Sequence, residues 1–548
     1  MKICSIIFFL FLFQGHAGAQ NLVVPTDQDL LFFVNGVGQF GYINKSTYQT
    51  TFLDNLPDGK SYACAYDPDN ERVYIHQPDT ASLYFYNLVD GTFTEVIDSS
   101  PDLSGGLPWM EYDKSNKTLL IGKASNLGVF DPSTGLKISS LSPQGFSGST
   151  GGGDLAMSSN NELYLAPNSG LYYFDTSQTG DNVTRKSAES LPFYITSLAI
   201  DSNDISWLAT NEANSTLMNM DLITGDYVIR HVANHKINDL SDRPKDVVIN
   251  CPDSDGDGVD DCTDVFPNDP ESCGASFTPS QLGTGTIAFE DLWPRKGDYD
   301  FNDLVISYRV TVYLGCENSK AIKMKIDLAI LAIGAGYKNG FGIELPISKD
   351  LVESVSGINL TESIINLSPN NLEVGHDNAV IIAFDNAFKN MGEPLDRMTR
   401  TNGGHEAPIK EFSIDIRFTE FIDSSFLSNA PFNPFIFVNQ DRGREVHLPG
   451  HPPTALARTS LFNTGDDKTN LASNYTYKTD NGMPWALSIQ HKFRVPMEKT
   501  SIDEAYSNFI NFATKPNEDF SSWYSDAPGN RNHNKIYYPR DDTSLFVD

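Results

Sequence analysis

The sequence predicts a mainly β protein in four parts: a signal peptide at 1–19, a β-propeller of five blades at 21–250, a short acidic calcium-binding linker at 251–274, and a β-sandwich-like domain with one helix at 275–548. Three observations lead there. Strand–turn–strand units recur every ~45 residues through the first half, a period that suits propeller blades. Carboxylates at 253–264 fall in the register of a calcium loop. Strands of alternating polarity dominate the second half.

Residues 1–20 combine a positive Lys2, an apolar run at 6–13 and the small residues Ala17-Gly-Ala19, which are the parts of a secretory signal. Cys4 precedes the apolar run, whereas a lipid-bearing cysteine would follow it. No other run approaches the ~18 apolar residues of a spanning helix. The expected location is therefore secreted or on the cell surface, including periplasmic and outer-membrane-associated positions. The 548 residues include 71 acids against 39 bases, a net charge of −32, and 40% are hydrophobic. Such a chain can build several cores. Its charge argues against nucleic acid as a partner, because phosphate binding is driven by Lys and Arg. Cations, neutral glycans and proteins fit better.

In the repeat region, Tyr66-Asp-Pro-Asp-Asn-Glu-Arg-Val-Tyr-Ile75 returns in altered form at 112–121, 157–165 and 200–208. Each copy is an apolar strand, an Asp/Asn turn and a second apolar strand. Third strands follow at 83–86, 127–130 and 171–174. Residues 246–249 match the first strand of a unit with nothing after it, while 30–34, 40–43 and 48–53 supply later strands. Together the two ends would close a fifth blade and protect its edges. Gly36-Val-Gly38-Gln-Phe-Gly41 has the form of a dinucleotide fingerprint, but strand and turn follow it where a helix is required. Gly151-Gly-Gly153 lacks the Lys of a phosphate loop and reads as a flexible connection.

Five cysteines follow the signal segment. Cys251 and Cys262 bracket most of the acidic loop, where a bridge would contribute about 3 kcal/mol. Cys273 could then reach Cys316. Cys64 reads as a small buried residue on a strand.

A twelve-position calcium loop needs oxygen ligands at positions 1, 3, 5, 7, 9 and 12 and glycine at 6. Asp253, Asp255, Asp257, the carbonyl of Val259, Asp261 and Asp264 fill the ligand positions, and Gly258 fills the sixth. The last ligand is Asp rather than the longer Glu, which predicts a weaker or water-supplemented site. Carboxylates ~4 Å apart repel by about 4 kcal/mol per pair at a surface-like dielectric, so five gather only around a cation. Calcium suits the set better than magnesium, which demands near-octahedral geometry. The competing reading is a solvated acidic spacer. Pro252 stands before the loop and Phe266-Pro-Asn-Asp-Pro270 after it, so no helix flanks it. The stretch resembles a thrombospondin type 3-like repeat more than a helical EF-hand.

A second acidic constellation lies at 289–308. Asp298, Asp300 and Asn302 alternate, so in an extended segment their oxygens share one side. With Asp303, Glu290 or Asp291 they form a possible second metal site. The competing reading is a turn in which Asp and Asn bond the backbone. In the strand that follows, Leu304, Ile306, Tyr308, Val310 and Val312 alternate with Val305, Ser307, Arg309 and Thr311. Phe289-Glu-Asp-Leu-Trp-Pro294 and Gly297-Asp-Tyr-Asp-Phe-Asn-Asp-Leu-Val305 resemble the signature of the bacterial LruC domain. The likeness extends through Asn339-Gly-Phe-Gly-Ile-Glu-Leu345, Arg442-Gly-Arg-Glu-Val-His-Leu-Pro-Gly450 and Pro484-Trp-Ala-Leu487, over roughly the last half of the chain. That resemblance implies an exported or surface protein and supplies no catalytic residues. Further strands are expected at 324–333, 379–384, 412–418 and 435–438. Ser501 and Glu504 form a capping box, and Ile502, Ala505, Tyr506, Phe509, Ile510 and Ala513 make one apolar face of a helix that ends before Pro516.

No hydrolase constellation stands out. His405-Glu406 has no second His four residues on, His376-Asp377 stands alone, and no G-x-S-x-G occurs. Pro449, Pro452 and Pro453 forbid the helix that would align His447 with His451. The sequence thus points to a non-enzymatic, exported, calcium-binding protein that recognises a protein or glycan ligand. A secreted propeller enzyme acting on polysaccharide and a structural envelope component are the alternatives.

Overall fold

The computed structural model describes residues 24–176, 182–192, 194–245, 251–261, 263–316, 319–392, 398–401, 407–515, 520–539 and 546. The expected signal peptide, the 246–249 strand, Cys262, His405 and Glu406 lie outside them. The chain is mainly β, arranged as separate antiparallel sheets. No helix among the described residues is long and apolar enough to cross a membrane.

Residues 30–243 form five four-stranded sheets. The repeated Asp residues explain the turns. Asp67 accepts the Asp69 N–H at 2.9 Å and holds the Asn70 side chain at 2.9 Å. Asp113 does the same for Ser115 and Asn116 at 2.9 and 2.8 Å, and Asp201 caps Asn203 at 3.0 Å. Each Asp side chain thereby mimics a backbone turn between two apolar strands. Gly36–Gly41 is a hairpin, with Leu30–Val34 paired to Gln39–Asn44. Cys64 is buried and free on strand Ala63–Asp67.

The first and last parts of this region do share a sheet, but the strand that joins Leu30–Val34 is Asp239–Arg243. Its sequence, Asp-Leu-Ser-Asp-Arg, carries no apolar run, so periodicity did not reveal it. Its neighbours bury it all the same, because it is the innermost strand of its sheet. The first strands of the five sheets, Asp239–Arg243, Ala63–Asp67, Trp109–Asp113, Leu155–Met157 and Ile195–Ile200, each contact the next, and the series returns to its start.

Two carboxyls link these five strands. Asp239 accepts the Cys64 N–H at 2.6 Å, and Asp154 accepts the N–H groups of Met110 at 3.1 Å and Leu198 at 3.2 Å. The two Asp side chains also hydrogen-bond each other. Burial pushes Asp154 up to about 7; burial and the neighbouring Asp154 charge push Asp239 well above the carboxylate range. One proton is thus shared between them. Gly153, expected to be flexible, instead donates its N–H to Ile195 at 2.7 Å beside this pair.

The second half holds a seven-stranded sheet and a four-stranded sheet. Leu304–Leu314, Ala321–Ala332 and Lys410–Ile422 form the middle of the larger one, and Gly340–Ser348 pairs with Asn378–Phe384 and Asn433–Phe437 in the smaller. Ile306, Tyr308 and Leu328 from one sheet and Phe341, Ile381 and Ile436 from the other share a single core. The polar face of Leu304–Leu314 is buried too: Arg309 lies 3.5 Å from Asp327, and Ser413 Oγ donates to Asp327 at 2.6 Å.

The predicted single helix is two, Ile502–Ala505 and Phe509–Thr514. Ser501 makes no capping bond to the backbone. Tyr506 leaves the helix to stack on Phe493 and meet Trp523 edge-on, and Ser507 donates its N–H to Asn530 instead. Ile510 is 39% exposed. The acidic segment is docked rather than free: Gly274–Thr278 pairs with Leu304–Leu314, Cys273 is bridged to Cys316, and Arg417 clamps Glu271 at 2.6 and 2.8 Å.

The prolines that rule out a helix at 447–451 leave room for a strand at His447. His447 lies buried on Glu445–His447, with Nε2 2.8 Å from Glu445 and Nδ1 2.7 Å from the Asn433 oxygen. Arg442 spans Glu373, at 2.6 and 2.7 Å, and Glu445. Burial opposes ionisation of Glu445, yet His447 and Arg442 hold its carboxyl down at about 2.

Two outcomes are expected. Because Asp154 and Asp239 bind protons more tightly folded than unfolded, their contribution to stability falls as pH rises from ~4 through ~7 and beyond, by at most about 1.4 kcal/mol per pH unit for each group. Asp239→Asn keeps a donor without the titration. It should flatten the decline in melting temperature between about pH 6 and about pH 9, and parallel profiles would refute the shared proton. Glu445→Gln removes the buried carboxylate that Arg442, His447 and Thr454 share and should cost about 3–5 kcal/mol in urea unfolding followed by tryptophan emission; a loss below about 1 kcal/mol would show that the network carries no stability.

Candidate functional sites

The acidic loop folds locally through its own carboxylates. Asp253 accepts the N–H groups of Gly256 at 2.7 Å and Gly258 at 3.0 Å. Gly258 sits at φ +94°, a left-handed turn that suits glycine. Asp253, Asp255 and Asp257 bring oxygens within 4.8 Å of one another. Burial and the charges of Asp257, Asp264 and Asp253 raise the Asp255 pKa, so Asp264 approaches the same cluster. Asp264 is buried, with one oxygen on the Phe266 N–H at 2.7 Å and the other without a partner among the described residues. Asp261 is used differently, accepting the Ser254 N–H and Oγ at 2.8 and 2.6 Å. Val259 donates its N–H to Asp257 at 2.8 Å. Asp257 Oδ2 also lies 2.7 Å from Cys273 Sγ and 2.9 Å from Cys316 Sγ. Those sulfurs are bonded to each other and are not metal ligands. Cys251 is disulfide-bonded as well.

The second constellation divides in two. Asp303 accepts the Asp291 N–H at 2.7 Å, and Asp291 accepts the Asn339 amide at 2.7 Å. Asn302 sends its own amide to the Pro496 carbonyl at 3.3 Å. On the other side, Glu290, Asp298 and Asp300 bring oxygens within 4.8 Å of one another. Burial first, then the charge of Asp300, raises Glu290 well above its usual range; burial and Asp298 push Asp300 up to about 7. Glu498, two hundred residues away in sequence, is raised by burial and then by Asp298, which places it beside the same group. No periodicity or spacing marks Glu498 in the sequence.

A groove of about 730 Å³ runs along strand Ala486–Ile489. This strand ends the larger sheet, pairing among the described residues only with Gly285–Phe289. Glu290 donates its N–H to the Trp485 carbonyl at 2.9 Å, so antiparallel alternation turns the N–H and C=O of Ala486 and Ser488 outward. Residues 486–491 line the groove with Phe512, Trp523 and Tyr524, and with Leu448 and His451. Among the described residues its ionisable lining includes Lys478, His451 and His491 and no Asp or Glu, in a chain of net charge −32. His491 links the groove to the first half of the chain, facing the Lys186 carbonyl at 3.1 Å and the Tyr524 hydroxyl at 2.7 Å.

Fold and sites define a mainly β protein with two carboxylate clusters and one aromatic groove at a sheet edge. Residues 319–524 match the model of a domain of unknown function, DUF4842. No curated protein matches the sequence. Among solved structures, a candidate lipoprotein from Bacteroides ovatus is 18% identical, with 61% of this chain and 90% of that one covered at a TM-score of 0.40. A protein of unknown function from Bacteroides thetaiotaomicron is 16% identical over 37% of this chain and 55% of its own, with a TM-score of 0.30. A chain of a nidogen/laminin complex is 11% identical over 39% of this chain and 98% of its own, with a TM-score of 0.28.

Proposed function

We propose that this is an exported, non-enzymatic recognition protein that takes an extended segment of a partner protein into the groove beside Ala486–Ile489. The single observation that carries this reading is a sheet edge that has no partner strand among the described residues and lies along the floor of an aromatic groove. An added strand would bond the outward N–H and C=O of the exposed Ser488 and lay alternate side chains against Phe512 and Tyr524. The cationic Lys478 among the described lining residues favours neutral or acidic peptides. On this reading the five sheets of the first half are blades of a propeller closed by Asp239–Arg243, and the second half is LruC-like. The loop at 253–264, thrombospondin type 3-like in pattern, takes calcium through Asp253, Asp255, Asp257 and Asp264. Calcium there braces the segment that docks on Leu304–Leu314.

Selection from a displayed random-peptide library against the full chain should yield binders. Ser488→Pro removes one outward N–H, which an edge strand tolerates, and should weaken them about tenfold or more, as should the half-exposed Phe512→Ser. Glycan binding in an array with Ser488→Pro silent would replace the peptide reading with a carbohydrate one. For the loop, Asp255→Ala or Asp257→Ala should raise protease cleavage within 251–273 in saturating calcium to the level the wild type shows in chelator; cleavage of the wild type that ignores calcium would remove the metal.

A further inference from the structure

Glu290 is fully buried at the end of Gly285–Phe289, and only one of its oxygens is used: Oε1 accepts the Phe301 N–H at 2.7 Å. Oε2 has no hydrogen-bond partner among the described residues. A buried carboxylate oxygen left unpaired is costly, so the fold has a reason to keep it. The chain closes over this oxygen at Gly297, whose φ of +69° and lack of a side chain are both needed there, since a Cβ would stand 2.5 Å from Oε2. The next residue, Asp298, and the buried Asp300 complete the triad within 4.8 Å. Asp300 is itself fixed, accepting the N–H groups of Asn302 at 3.1 Å and Lys499 at 2.8 Å.

Two nearby cations are committed elsewhere. Lys296 lies over the Tyr299 ring at 5.2 Å, and Arg444 donates to the carbonyls of Asp291 and Trp293. Three carboxylates this close repel by about 3 kcal/mol per pair at an effective dielectric of ~20, a cost that a divalent cation reverses.

We propose that Glu290, Asp298 and Asp300 bind a calcium ion, at a site separate from the 253–264 loop and independent of the groove. An all-oxygen set of carboxylates with irregular spacing suits Ca2+, which accepts 6–8 ligands, better than softer metals or octahedral Mg2+. The ion would lock the 297–300 turn onto the strand whose partner, Ala486–Ile489, is the sheet edge.

Calcium titration by calorimetry on the full chain, with Tb3+ luminescence excited through tryptophan, tests this. Trp485 adjoins Glu290 and Trp293 follows it three residues on, whereas the aromatic pair packed at the acidic segment is Phe266 and Tyr313. The wild type should bind two Ca2+, and the chain carrying both Asp255→Ala and Asp257→Ala should keep one of them together with the Tb3+ emission. Asp298→Asn, at an exposed position, should weaken that remaining site about tenfold and dim the emission in proportion. Glu290→Gln, checked for folding by circular dichroism, should abolish both. Unchanged calcium affinity and emission in Asp298→Asn, or a wild type without tryptophan-sensitised emission, would overturn the assignment.

Discussion

The Asp154–Asp239 pair is the contact on which the first half of the molecule depends. Asp154 belongs to the fourth sheet and Asp239 to the first, and between them they accept backbone N–H groups from the other three. Innermost strands that converge leave donors which no strand ladder can satisfy, and a buried donor without an acceptor is destabilising. Two carboxyls sharing a proton answer this need with little net charge, which suits a site closed to water. Asp239 also lies on the strand that joins the ends of the region through Leu30–Val34, so closure and central bonding rest on one residue.

The second half uses buried carboxylates in two opposite ways. Glu373 and Glu445 sit against Arg442, His376 and His447, and these side chains close around the two carboxyls. Glu290 and Asp300 are buried as deeply, but the strongest charges acting on them are other carboxylates. The contrast is chemical: the first group is complete as it stands, and the second is completed by protons or by a cation. Both groups anchor strands of the larger or smaller sheet, so the rigid core and the polar sites are built from the same elements.

The groove depends on how that sheet ends. Ala486–Ile489 is short, and Pro484 and Trp485 lead directly into it, with Trp485 buried against Trp293's neighbourhood through its bond to the Arg295 carbonyl. The two short helices around Tyr506 then bring Phe512 and Trp523 beside the open edge. Had 502–514 remained one helix, Tyr506 could not have turned inward to stack on Phe493. Ionic contacts such as Arg531 with Glu189 at 2.8 Å and Arg185 with Asp526 dock this region on the five-sheet half.

The sequence by itself determined what lies within one strand or one turn. The repeat exposed most strands of the five sheets, because apolar runs and Asp-capped turns are local; the spacing at 253–264 exposed the cluster of Asp253, Asp255 and Asp257, because carboxylates two residues apart in a tight loop are brought together. The polar strand Asp239–Arg243 was invisible to periodicity, since its burial comes from neighbours rather than from its own composition. Asp298 and Asp300 were legible as alternating carboxylates, but that they join Glu290 rather than Asn302 and Asp303 was decided by the turn at Gly297 and the end of another strand. The meeting of Asp154 with Asp239, the approach of Glu498, the Arg442 network and the open sheet edge belong to the tertiary structure alone. They join residues distant in the chain, and spacing along a chain carries no information about which distant side chains a packed core will bring together.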